Sequence, residues 1–489
     1  MPRRIRSLTL PEWSDPELVF LAVAARAPRV AWLDGGADAR DGRSVIAVAA
    51  EGAPAVLADD DADVDAVYGA LAAQVGEVSI DDGLDPAGRA AVGWHGWFGY
   101  EFGARTLDVP AARSEAPAVA FFLADRVIVF EHGPRVVRLE WIEDDPGVTA
   151  SARRWVDETT AAIDGVAVEQ VQADGTARDA TRDASDPEAS GLGGPAPTRW
   201  RHEPAAYRRM IAECQAAIVR GDAYQLCLTN RVDIDATPDP VDAYLRLRRS
   251  SPSHHGGFLR FDDVALLSAS PEQFLVVERD GTVATKPMKG TRPRSADPAT
   301  DAALRAELSS SEKERAENLM IVDLMRNDLG RIAEVGSVRV PSLLDVEEYP
   351  HVHQLVSTVT ARLRHPLTAL DAVRSAFPAG SMTGAPKLSA MTILHGLEQG
   401  PRGVYSGAFG CLGVDGTADL AMVIRSIVLT PSGASIGTGG GITALSDPDE
   451  EVEETRVKAR ALIAVLDGEV PAPPRAPHAN APRPPGAIE

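Results

Sequence analysis

Lys289 lies in the run Thr285-Lys-Pro-Met-Lys-Gly-Thr-Arg-Pro-Arg294, between a Pro-Met dipeptide and a Gly-Thr pair. A lysine amine that has shed its proton attacks carbon, so this position is a candidate for covalent chemistry. Most lysines are solvated surface charges, and the run alone does not decide between the two. Carboxylates form a second pattern. Glu314 and Glu317 stand one turn apart, and Glu317 is followed at i+4 and i+7 by Ile321 and Leu324, which is the spacing of an inward helix face. Near the C-terminus Glu451, Glu454 and Lys458 share a face that continues into Leu462 and Val465. An acid on an apolar face is costly unless it is paired or binds a metal, although acids in a first helical turn also complement the helix dipole. Carboxylate oxygens suit Mg²⁺, which takes one or two of them and keeps several waters. No His or Cys spacing fits zinc or copper. The glycine run Gly437-Thr-Gly-Gly-Gly-Ile442 could bring backbone N–H groups to an anion or form a tight turn after a strand. It lacks the Lys-Ser/Thr ending of a P-loop, which excludes that kind of nucleotide site.

These groups need elements to carry them. Apolar periodicity predicts helices over 204–220, 311–329, 369–376, 387–395 and 450–466. Alternating or β-rich runs predict strands over 224–229, 257–261, 264–268, 274–278, 406–412, 421–429 and 434–438. Strands come in runs and helices in groups, so the expected class is α+β. The first 165 residues mix short β-rich runs with Ala-rich helical stretches, and residues 166–199 read as a flexible connector dominated by Asp, Gly, Ser, Ala and Pro. A chemistry-bearing region over 200–467 follows, and the Pro-rich residues 468–489 read as a disordered tail.

Composition narrows the function classes. A chain of 489 residues with 44% hydrophobic content fills a sizeable core. Its net charge of -22 argues against nucleic acid or an anionic membrane as partner, so an anionic substrate must be held by local cations, a metal or backbone amides. No apolar run approaches the roughly 20 residues that span a bilayer, and Glu12, Asp15 and Glu17 spoil an N-terminal export signal. Three scattered cysteines, Cys214, Cys227 and Cys411, fit a reducing cytoplasm better than a disulfide framework.

Five long motifs occur together: Ala269-Ser-Pro-Glu-Gln-Phe274, Lys286-Pro-Met-Lys-Gly-Thr291, Ala316-Glu-Asn-Leu-Met-Ile-Val-Asp-Leu-Met-Arg-Asn-Asp328, Phe377-Pro-Ala-Gly-Ser-Met-Thr-Gly-Ala-Pro-Lys387 and Glu451-Val-Glu-Glu-Thr-Arg-Val-Lys458. With them the chain resembles the chorismate-utilising enzymes over residues 200–467, and more loosely before residue 165 through Gly96-Trp-Phe-Gly-Tyr-Glu-Phe102. The resemblance implies a large sandwich of two mainly antiparallel sheets wrapped by helices. It implies that Glu317 and Glu454 hold Mg²⁺, with Glu314 and Glu451 acting through water, and that the metal holds the ring carboxylate of chorismate. Tyr405, Arg425, Lys458 and the amides of Gly439, Gly440 and Gly441 match positions that hold substrate carboxylates. Gly290 and Thr291 match the ring pocket, Glu272 the general acid/base at the C4 hydroxyl, and His353 an orienting histidine.

Lys289 then separates branches of the family. Members that make anthranilate or salicylate resemble Pro-Ile-Ala-Gly-Thr here, whereas the aminodeoxychorismate-forming branch carries the lysine. The implied function is Mg²⁺-dependent amination of chorismate at C4 on the route to 4-aminobenzoate and folate. Gln225 agrees, because the water-using branches have a lysine at that place. Anthranilate formation is the alternative, and Ser253-His-His-Gly256 departs from the Pro-Tyr-Met stretch of that branch. A non-catalytic paralogue would not need Glu272, Lys289, Glu317 and Glu454 intact. Gly410-Cys-Leu-Gly413 only partly resembles a glutaminase nucleophile turn, so ammonia is expected from a separate glutaminase subunit.

Overall fold

The computed structural model describes residues 3–76, 78–80, 89–143, 146–177, 196–349 and 351–469. Two mainly antiparallel sheets, one of 13 strands and one of 10, form its frame, the α+β sandwich expected above. Each sheet is assembled from both halves of the chain. In the larger one the Arg29–Asp34 strand pairs with His255–Phe261, in a register that sets Trp32 opposite Phe258. In the smaller one Gly93–Phe98 pairs with Ala408–Gly413, setting Gly96 opposite Gly410. Close approach at this second seam requires glycine, since a Cβ on Gly93 would collide with the Leu412 carbonyl of the facing strand.

Strand alternation sends successive side chains to different cores. Leu259 and Leu266 enter the core between the sheets, with Trp97, Phe121 and Phe261. Their neighbours Phe258 and Leu267 enter a second core on the outer face, with Phe20, Trp32 and Tyr244. Both faces are therefore covered, which is why these strands read as nearly continuous apolar runs.

The site is carried by the Gln225–Ile234 strand and its neighbour Gly433–Ile442, by the paired strands Met288–Pro293 and Val352–Arg362, and by two helices. Glu312–Gly330 is capped by the Ser311 side chain. Pro448–Val465 is capped by Asp447, with Pro at its first turn and three acids there. Helices Pro204–Arg220 and Lys387–Glu398 contribute Tyr207, Ile211, Ala390 and Leu394 to a third core that includes Leu226, Ile442 and Val452.

Some expectations shift. The strand expected over 421–429 is two strands, Ala418–Met422 and Ser426–Thr430, broken where Arg425 takes a left-handed φ of 48°. The glycine run is not a turn but part of the Gly433–Ile442 strand. Of the expected connector, residues 166–177 continue the Pro146–Ala177 helix, Thr198–Trp200 is a strand, and 178–195 lie outside the described residues. Of the expected tail, residues 470–489 lie outside them as well. Among the described residues no helix is long and apolar enough to cross a membrane.

Candidate active site

Lys289 is placed by a β-bulge. Met288 and Lys289 pair with Val356 and Leu355, the register slips at Gly290, and Thr291 resumes opposite Gln354. Gly290 has φ 76°, and a Cβ there would stand 2.9 Å from Glu314 Cδ, so both backbone conformation and space demand glycine. The slip leaves Lys289 Nζ 3.8 Å from Glu317 Oε2. Burial alone would lower the amine's pKa, but Glu317, Cys227, Glu272 and Glu454 outweigh it and raise it. The lysine is thus held as an ammonium in this structure.

Glu272 is buried just before the Gln273–Val277 strand. Ser381 Oγ donates to its Oε1 at 3.1 Å. Burial pushes the Glu272 carboxyl up to about 7, while Lys289, the Ser381 hydroxyl and Lys458 pull in the other direction. A carboxyl balanced near neutrality is suited to give and take a proton.

The four glutamates each meet a cation. Glu317 faces Lys289, Glu454 Oε1 lies 2.6 Å from Lys458 Nζ, Glu451 Oε1 lies 3.6 Å from Lys313 Nζ and accepts the Ser446 hydroxyl at 2.8 Å, and Glu314 Oε1 lies 3.7 Å from Arg292 Nη1. Glu317 and Glu451 are buried, whereas Glu454 and Lys458 are exposed, which corrects the picture of one continuous inward stripe. Burial raises the pKa of Glu317, and Glu314 and Glu454 push it further up against Lys289 and Lys313. Burial and then Glu454 do the same to Glu451. Among the described residues no group of three or more His, Cys, Asp or Glu side chains is drawn together as a closed metal cage. The donor set nonetheless fits Mg²⁺: hard carboxylates that repel one another, two direct ligands being enough for this ion.

Opposite them runs the glycine strand. Gly439, Gly440 and Gly441 pair with Thr229, Leu228 and Cys227 on one edge, while the other edge is paired to Ser426–Thr430 only as far as Ile436. Alternate amides beyond that point are therefore open on the second edge. Lys458 Nζ donates to Gly439 O at 2.8 Å. A Cβ on Gly440 would stand 2.9 Å from Glu451 Oε2 and 3.7 Å from Glu454 Oε1, and one on Gly441 would collide with Gln225 Nε2 and lie 3.7 Å from Lys289 Nζ. Gln225 is buried and its Oε1 has no hydrogen-bond partner. Lysine, glutamine, glycine backbone and carboxylates thus converge.

The remaining candidates are more dispersed. The Tyr405 ring lies flat against Gly437, where a Cβ would overlap it. Arg425 is exposed. Thr291 is exposed at the bulge. His353 is buried with Nε2 3.0 Å from Asp301 Oδ1, and Asp301 is itself held by Arg294 at 2.9 Å, so the histidine is tied to the Pro298–Ser310 helix. Sequence reasoning missed Ser381, Lys313 and Asn318. Asn318 is buried, donates to Pro287 O at 3.2 Å and accepts from Ser357 Oγ at 2.6 Å, locking the helix of Glu317 to the segment before Lys289. Ser381 and Asn318 both lie inside motifs already singled out.

The chorismate binding enzyme family matches residues 30–464. Aminodeoxychorismate synthase of Streptomyces griseus is 46% identical over 382 residues, 78% of this chain and 51% of that protein; the chain thus spans about half its length. Anthranilate synthase component 1 of Streptomyces coelicolor is 39% identical over 393 residues, 78% of this chain and 74% of that protein. Among solved structures, anthranilate synthase component I of Streptococcus pneumoniae superposes with a TM-score of 0.66 at 26% identity, covering 93% of this chain and 99% of that one.

Proposed function

Since the chain belongs to the family of chorismate binding enzymes, we propose that it aminates chorismate at C4 to 4-amino-4-deoxychorismate, for 4-aminobenzoate and folate synthesis. The observation that carries this reading is the placement of Lys289 beside Glu317, Gln225 and Gly441. Its branch is the one that the 46% identical Streptomyces griseus protein is named for.

In the proposed mechanism the Lys289 ammonium first gives its proton to solvent, and the free amine then forms a bond to C2 of chorismate as the double bonds shift and the C4–O bond breaks. Glu272 gives its proton to the departing hydroxyl, which leaves as water. Ammonia then forms a bond to C4, the C2–N bond returns its electrons to Lys289, and Glu272 takes the proton that the incoming nitrogen sheds. Two accessible displacements replace one difficult one. Gln225 is amide rather than base, so it offers no activation to water. The open glycine amides, Lys458, Tyr405 and Arg425 are read as holding substrate carboxylates. Glu317 and Glu454 would hold Mg²⁺, backed by Glu314 and Glu451, and the ion when bound would neutralise the ring carboxylate. His353, tied to Asp301, is read as fixing its strand.

The nitrogen is proposed to come from a glutaminase subunit, since the name of the Streptomyces coelicolor relative, component 1, implies a second component. The chain's own thiols support this. Cys214 and Cys411 are buried and pushed up to about 12, and burial raises Cys227 too, so none is poised as a glutaminase nucleophile. Three unpaired cysteines also suit a cytoplasmic protein. The decisive experiment incubates the protein with chorismate, Mg²⁺ and ammonium and weighs the product. An aminated product that retains the enolpyruvyl group supports the reading, and anthranilate with pyruvate release overturns it.

A further inference from the structure

Arg402 is buried, and its guanidinium is spent on segments of the catalytic region far apart in sequence. Nε and Nη2 donate to Glu398 Oε2 and Oε1 at 2.8 and 2.7 Å. Nη2 also donates to Cys227 O at 2.9 Å, and Nη1 to Met382 O at 2.6 Å and Ser406 Oγ at 3.4 Å. Glu398 Oε1 accepts the Thr229 N–H at 2.9 Å. The N-terminal region completes the arrangement: Glu101 accepts the backbone N–H groups of Arg402 and Gly403 at 2.7 and 2.8 Å, and the Tyr100 ring lies 4.1 Å from the guanidinium carbon.

Two of these contacts bear on the chemistry. Cys227 and Thr229 are the strand partners of Gly441 and Gly439. Met382 follows Ser381, whose hydroxyl holds Glu272, and Cys227 N–H donates to Thr383 O at 2.9 Å. One planar cation therefore grips both the strand behind the glycine amides and the short turn that holds the carboxyl acid. A lysine could keep the charge opposite Glu398 but could not fork to two carbonyls as well.

We propose that Arg402, secured by Glu101, is a positioning residue that sets the Ser381–Glu272 arm against the glycine strand, so that the N-terminal region takes part in turnover through it. The inference rests on the assignment of Glu272 as the acid. Glu272 is faced by Lys289 and Lys458 as charged neighbours and by Ser381, and Arg402 by Glu398, Glu101 and Tyr100, none of which is altered by an Arg402 substitution.

The test compares Arg402→Lys, Ser381→Ala and the double variant in steady-state chorismate turnover. Arg402→Lys is expected to lower kcat about 10- to 100-fold with KM for chorismate within about twofold. The high-pH limb of its kcat profile should move upward, as in Ser381→Ala, because each loosens a donor that favours ionised Glu272. The double variant should be no worse than the poorer single, since both act through Glu272. An Arg402→Lys enzyme with reduced thermal stability but full kcat and an unmoved profile would overturn the proposal, as would losses that multiply. Should Arg402→Lys fail to fold, Glu101→Gln decides: a smaller fall with the same profile shift supports it, unchanged kcat overturns it. If the wild type makes anthranilate, the amination reading falls while this comparison stands, because loss of the C4 hydroxyl is common to both reactions.

Discussion

Lys289 Nζ stands 3.8 Å from Glu317 Oε2, so the proposed nucleophile and a proposed metal ligand occupy one electrostatic site. Lys289 there has two separable roles, pairing with Glu317 as an ammonium and attacking carbon as a free amine. Lys289→Arg keeps the first and abolishes the second, because a guanidinium is never deprotonated in this setting. We expect it to fold like the wild type and to lose aminodeoxychorismate formation by more than about 100-fold, as Lys289→Ala should. Product mass and single-turnover rate measure both. Undiminished turnover in Lys289→Arg would show that the lysine acts only as a charge.

Glu272 carries a pH prediction. Its carboxyl, raised by burial from 4.5 to about 7, must be protonated to assist the leaving hydroxyl, so kcat should fall as pH rises through about 7. Glu272→Gln should flatten that limb and lower kcat by roughly 10²- to 10⁴-fold. The linkage sign follows the same shift. A raised carboxyl contributes stability that is fully present below about 4.5 and lost as pH rises through about 7, so the wild type should lose thermal stability between pH 5 and 8 relative to Glu272→Gln. Parallel melting curves of the two proteins across that range would sink the assignment of a buried, proton-exchanging acid.

Much of this site was legible in the sequence because its chemistry is local. Lys289 and Gly290 are adjacent, and Glu314 and Glu317 announce themselves by helical spacing. What spacing cannot convey is which side of a helix faces a cleft open to solvent: Glu454 and Lys458 share the periodicity of Leu462 yet are exposed. The glycine run read equally as a turn because the strand that pairs with it, Gln225–Ile234, lies some two hundred residues earlier and leaves no local trace. Nor could local pattern divide Ala418–Met422 from Ser426–Thr430, since every residue from 421 to 429 except Arg425 is apolar or small. The contacts of Ser381, Arg402 and Glu101 are tertiary, and only the fold brings them together.

The carboxylates predict a metal requirement of a particular kind. Chelation should abolish turnover, Mg²⁺ should restore it, and Glu317→Ala and Glu454→Ala should not recover at any accessible Mg²⁺ concentration. Glu314→Ala and Glu451→Ala, acting one shell out, should raise the Mg²⁺ needed for half-maximal rate about 10- to 100-fold. Titration of initial rate against Mg²⁺ separates the two classes, and an unshifted curve for Glu314→Ala and Glu451→Ala would remove them from the metal's surroundings.

Gly441 allows a steric test with little change in chemistry. An alanine Cβ there would collide with Gln225 Nε2 and stand 3.7 Å from Lys289 Nζ. Gly441→Ala should therefore displace Gln225 and crowd the amine, lowering kcat about 10-fold or more while the protein stays folded. Circular dichroism with steady-state kinetics checks both halves of the statement. Full activity would mean that substrate does not use this edge of the strand.

Asp34 and Arg248 predict how the two halves of the chain come apart. Arg248 Nε donates to Asp34 Oδ2 at 2.6 Å with both side chains nearly excluded from solvent, Tyr244 donates to the same oxygen at 2.9 Å, and Arg248 reaches Glu17 at 2.9 Å. Arg248→Met would strand the Asp34 charge in a buried site, a loss on the order of 3–5 kcal/mol. Asp34 belongs to the Arg29–Asp34 strand, whose neighbour is His255–Phe261, and Arg248 to the Pro240–Ser250 helix. Because both sheets run through the two halves, that loss should lower a single calorimetric transition and carry the catalytic region down with the first 165 residues. Asp34→Asn combined with Arg248→Met should recover much of the stability, since no uncompensated charge remains. Two separate transitions in the Arg248→Met protein would mean instead that the N-terminal half unfolds on its own, with the seam at Arg29–Asp34 a contact between independent units.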